Sequence, residues 1–88
     1  MSQAVEDAIA ERERQQSGEG FSPEMDDQYK NMELPMAAVS YINPYLAHTF
    51  WPFKQSWFKL DTVNPRRNYI KAIALLLAEV ERLDRLEK

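Results

Sequence analysis

Five carboxylates are the residues of this chain best suited to chemistry. Glu81 and Asp84 stand three apart near the C-terminal end, and Asp26, Asp27 and Glu33 come from the middle. Residues three apart share one face of a helix. Oxygen-rich sets of this kind suit magnesium, which takes carboxylates, retained waters and the phosphate oxygens of a substrate. Arg67 and Lys71 precede Glu81 on nearly the same helical face, where they could hold those phosphates. The same acids also have a plainer account, as a solvated face or as a salt-bridge network with nearby arginines. Residues for other chemistry are scarce. His48 is the one histidine and reads as a polar edge beside an aromatic stretch. There is no cysteine, hence no thiol nucleophile, disulfide or thiolate metal site. A structural zinc site needs several Cys or His ligands. Gly18 and Gly20 are the only glycines, so there is no glycine-rich phosphate loop. No residue is assigned a catalytic role on this basis.

The chain that must position these groups has 88 residues, enough for one small domain. Its net charge is −3 with acids and bases interspersed, and its isoelectric point is near 5.1. That balance disfavours nucleic acid as a partner, because broad phosphate binding calls for a basic patch. The longest apolar run, Ala72 to Ala78, falls far short of the ~20 residues that span a bilayer. The N-terminus is acidic and polar rather than a signal peptide. The expectation is a cytoplasmic protein without a membrane partner.

The periodicity predicts a compact all-α domain of three or four helices. Over 3–16, Val5, Ala8, Ile9 and Arg12 make a narrow stripe, and the glycine pair after it reads as a stop. Over 22–42, Ser22 is a ready N-cap with Pro23 at the first helical position and Glu24, Asp26 and Asp27 in the first turn. Pro35 breaks a continuous helix there or sits in the first turn of a fresh one starting near Asn31 to Glu33. Leu34, Ala37, Ala38, Tyr41 and Ile42 supply its apolar face. The last helix covers 65–86, with Asn64 as N-cap and Pro65 as first residue. Tyr69, Ile73, Leu76, Val80, Leu83 and Leu86 form one continuous stripe, widened by Ile70, Ala74 and Leu77. The pattern predicts the most buried element of the fold, packed on more than one side. Glu79–Arg82 and Glu81–Arg85 have the spacing of intrahelical ion pairs.

Between these helices, 43–64 holds both tryptophans and three of the four phenylalanines without a clean period. It reads as a long aromatic connection with a helical turn near Pro44 to His48. Its rings either dock on the helices to complete a small core or, through Phe50, Trp51, Phe53, Trp57 and Phe58, present a partner surface.

Taken together, several blocks look familiar. They are Ala10-Glu11-Arg12-Glu13-Arg14-Gln15, then Glu19-Gly20-Phe21-Ser22-Pro23-Glu24-Met25-Asp26-Asp27-Gln28, Glu33-Leu34, Ala37-Ala38 and Tyr41. Trp51-Pro52-Phe53, Trp57, Arg67-Asn68, Lys71-Ala72 and Ala78-Glu79-Val80-Glu81-Arg82-Leu83-Asp84-Arg85 follow. Their order and spacing resemble a family of small uncharacterised phage and prophage proteins, over nearly the whole chain. This sequence departs from the family pattern in having Met25 where that pattern has a histidine and Met32 where it has a glycine. Some members resemble all-α nucleotide pyrophosphohydrolases of the MazG type, which hold magnesium with helical acids. Glu81-x-x-Asp84 matches their second acidic element, while their first, an E-E-x-x-E helix, is absent. The small acidic chain, the missing catalytic residues and the aromatic segment point to a non-catalytic phage or prophage accessory protein that binds a host or phage protein, with a homodimer as one option and no cofactor. The alternative is a magnesium-dependent nucleotide pyrophosphohydrolase or nucleotide-binding module.

Overall fold

The computed structural model describes residues 1–18 and 21–86. Helix α1 spans Gln3–Gly18, α2 Pro23–Asp26, α3 Glu33–Ile42, α4 Ala47–Phe50 and α5 Pro65–Leu86, with 3₁₀ turns at Pro44–Leu46 and Gln55–Trp57. The chain is all-α among the described residues, with α5 at its centre. That helix packs against both α1 and α3. None of the described helices is long and apolar enough to cross a membrane.

Local chemistry sets the element ends. The Ser2 hydroxyl accepts from the Val5 amide at 3.2 Å and opens α1. That helix stops at Gly18; Gly20, the other half of the expected stop, lies outside the described residues. Ser22 caps α2 as its composition predicts, its hydroxyl accepting from the Met25 amide at 3.2 Å. Pro23 is tolerated there because the first helical amide has no partner to lose. The chain then turns and restarts at Glu33, which places Pro35 in the first turn of α3. Met32 precedes it at φ 69°, ψ 18°, the left-handed region, where a side chain is strained. The Glu33 carboxylate accepts from the Asn31 amide at 2.6 Å and braces that turn. Asn43 ends α3 and its side-chain oxygen takes the Tyr45 amide, which starts the next turn at Pro44.

The core joins Phe21 to Leu34, Ala37, Ala38 and Tyr41 of α3 and to Ala72, Leu75 and Ala78 of α5. Alanines at 37, 38, 72 and 78 let the two helices approach closely. The aromatic connection closes over this contact. Phe53 lies 5.3 Å from Phe21 and 4.9 Å from Tyr29, while Trp51 and Phe58 both meet Tyr41, at 5.6 and 5.0 Å. Hydrogen bonds pin the same segment. The Tyr41 hydroxyl accepts from the Lys59 amide at 3.0 Å. The Asn68 side chain both accepts from the Asp61 amide and donates to its carbonyl, each at 2.8 Å.

Two faces differ from the sequence expectation. On α1 the buried side chains are Ala8, Glu11, Arg12 and Gln15, while Val5 and Ile9 point outward. On α5 the buried side chains include Asn68, Ile70, Lys71, Ala72, Ala74, Leu75, Ala78, Glu79 and Arg82. The stripe of large side chains that hydropathy assigns to the core is the exposed face. The small residues face α3 because only they allow close packing. The polar ones join them because each brings a partner: Arg82 grips Glu79 through two bonds of 2.8 and 3.0 Å, and Lys71 donates to the Lys59 carbonyl.

Candidate functional site

The acids singled out by spacing are held by arginines. The Arg12 guanidinium donates to Asp26 at 2.6 Å, to Glu81 at 3.1 Å and to the Phe21 carbonyl at 2.9 Å. It thereby ties α1, α2 and α5 together from one buried point. Asp26 is fully buried. Burial raises its carboxyl above the ordinary range, and the charge and hydrogen bond of Arg12 oppose that rise. One of its oxygens, Oδ1, has no hydrogen-bond partner among the described residues. Next door, Arg85 donates twice to Asp27, at 2.7 and 2.9 Å. So Glu81 and Arg85, expected to pair within α5, each reach across to another element instead.

A magnesium ion needs several oxygens that converge with lone pairs to spare. Here Asp26 and Glu81 face one guanidinium, Asp27 faces another, Glu33 serves a backbone amide, and Asp84 is exposed on α5. Among the described residues no three acid or imidazole groups gather at one point. The set as placed does not fit the ion. The two phosphate candidates also part company. Lys71 is buried, its ammonium 5.4 Å above the Tyr41 ring. Arg67 lines a cleft of about 340 Å³ at the start of α5 with Asp7, Glu11, Arg14 and Arg66. There Arg66 pairs with Asp7 at 2.9 Å and Arg14 with Glu11 at 2.5 Å, so opposite charges alternate around the cleft. Hydrogen bonds from Gln3 and then Arg66 hold the Asp7 carboxyl below its usual range. His48 is exposed.

Of the aromatic surface, Trp51, Phe53, Trp57 and Phe58 are half-buried against the core, and Phe50 alone is exposed. These rings mainly spend their area inside the molecule.

The feature that folding leaves over is the outer face of α5. Tyr69, Ile73, Leu76, Leu77, Val80, Leu83 and Leu86 are between 37% and 64% exposed. At about 1.5 Å per residue they run some 26 Å along the helix. Together they present on the order of 600 Å² of apolar surface, the upper end for the largest patch on a monomer. Sequence reasoning found these residues but placed them inside. The signal available was the second face of α5, where alanines recur at 72, 74 and 78 beside Leu75. Arg12 was likewise visible only as a member of a stripe; its partner acid, Asp26, sits in the first turn of a helix capped by Ser22. Comparisons with protein-family models, curated proteins and solved structures find no match for this chain.

Proposed function

We propose that this is a small accessory protein of the phage and prophage type, which acts in the host cytoplasm by binding a protein and catalyses no reaction. Its contact is the outer face of α5. The single observation that carries this reading is the seven-residue apolar stripe, exposed on a helix whose other side is already fully packed. Leaving that much apolar surface in water forgoes about 25 cal/mol per Å², so a partner that covers it gains a substantial driving force. The resemblance to small phage proteins supports the biological setting, and the lack of cysteine suits a reducing compartment.

A photo-crosslinking amino acid placed at Val80 tests the reading in bacterial cells, with one at exposed Thr62 as control. Discrete protein adducts at position 80 and none at 62 are expected. Equal labelling at both positions, or none at 80, would overturn the assignment of the surface.

A further inference from the structure

The stripe on α5 has the spacing of a coiled-coil seam. Tyr69, Ile73, Leu76, Val80 and Leu83 follow one another at intervals of four, three, four and three. This is a heptad repeat with Ile73 and Val80 at one core position and Tyr69, Leu76 and Leu83 at the other. Apolar residues at both core positions of such a repeat make a seam for a facing helix. Such a seam complements a copy of itself, as a two-fold interface requires.

The area fits the same partner. The five seam residues offer on the order of 500 Å², so two copies would bury about 1,000 Å², the least a specific interface should clear. Charge decides the orientation. Arg66 and Asp84 are 18 residues apart, which at about 3.6 residues per turn is five full turns. They therefore lie in one line along the edge of the stripe, at its two ends, and both are exposed. An antiparallel pair of helices would set each Arg66 beside the other copy's Asp84. A parallel two-fold pair would put the same edges on opposite sides of the seam and leave Arg66 and Asp84 without each other. Arg66 pairs with Asp7 of α1 at 2.9 Å, and its side chain stays 54% exposed.

We propose that the occupant of this face is a second copy of the chain, in a two-fold dimer with antiparallel α5 helices and reciprocal Arg66–Asp84 pairs. This inference rests on the binding role proposed above and names its partner.

Analytical ultracentrifugation of the full chain at high micromolar concentration tests it. The wild type is expected to sediment as a dimer. Val80→Glu, with unchanged far-ultraviolet circular dichroism, should raise the dissociation constant by at least about 30-fold, the effect of losing a central anchor. Arg66→Asp and Asp84→Arg should each weaken the homodimer through two like-charge contacts. Mixed together they should form a heterodimer, because every contact is then a pair of opposite charges. These two surface variants keep the test alive should Val80→Glu disturb folding. A monomeric wild type, a dimer indifferent to Val80→Glu, or a mixture with no preference for the heterodimer would each overturn the proposal. A monomer that still crosslinks a different protein through position 80 removes the dimer and leaves the binding role; a monomer with no adduct there removes both.

Discussion

Replacing Arg12 by methionine strips Asp26 of its one counter-charge contact within hydrogen-bonding distance among the described residues. Asp26 is fully buried, and breaking a buried pair by removing one partner costs about 3–5 kcal/mol. A domain of this size has a total stability of roughly 4–13 kcal/mol, so the variant should lose a large share of it. Urea unfolding at one fixed protein concentration reads the loss as a shift in midpoint with little change in slope. The pH dependence supplies a sharper check. In the wild type the Asp26 carboxyl is raised above its unfolded value of 3.8, by burial first. Between the two values the folded state binds more protons than the unfolded one. This group's contribution is therefore greatest at low pH and falls as pH rises through that window. Loss of Arg12 removes the charge and hydrogen bond that hold the rise in check, and the window widens upward. The deficit of Arg12→Met should thus be largest near pH 7 and shrink on acidification, as Asp26 takes up a proton. Adding Asp26→Asn should recover much of the loss at pH 7 and flatten the dependence. A deficit below about 1 kcal/mol, or one independent of pH, would show that this arginine is not the counter-charge the fold depends on.

Two further substitutions probe the backbone and the aromatic connection. Met32→Gly relieves a left-handed residue at φ 69° and should stabilise the protein by about 0.5–1 kcal/mol, read as a higher melting temperature; a loss would mean that the Met32 side chain outweighs its strain. Asn68→Ala removes both hydrogen bonds that hold Asp61 to α5. It should cost about 1–3 kcal/mol and speed amide exchange across 58–63; uniform exchange would place the anchor of that segment elsewhere.

The parts of this fold legible in the sequence are those decided within a few residues. Ser22 followed by Pro23 starts α2, Pro65 starts α5, and Pro35 marks the first turn of α3. Each depends on which amides lack partners, and a short window holds that information. Met32 carries no such signal: its left-handed backbone is at a residue type that gives no hint of it. The inward side of α5 is a different matter. Hydropathy ranks Tyr69, Ile73, Leu76, Val80 and Leu83 above Asn68, Lys71, Glu79 and Arg82, yet the second set is buried. What admits it is the supply of partners: the Asp61 backbone for Asn68, the Lys59 carbonyl for Lys71, and Glu79 and Arg82 for each other. Two of these partners lie in the aromatic connection, whose path has no periodic signature. The acids followed the same rule. Their helical spacing was plain, but Arg12, which gathers Asp26 and Glu81, stands 14 and 69 residues from them. A helix with apolar side chains all round reads as central to one core. On α5 the two faces differ in kind. Small residues and satisfied polar groups fill the inner one, and large side chains at heptad spacing fill the outer. The first arrangement suits close packing within a chain, and the second suits a seam with another helix. The excess hydrophobicity of α5 is thus not spent in the core but left on its exposed outer face.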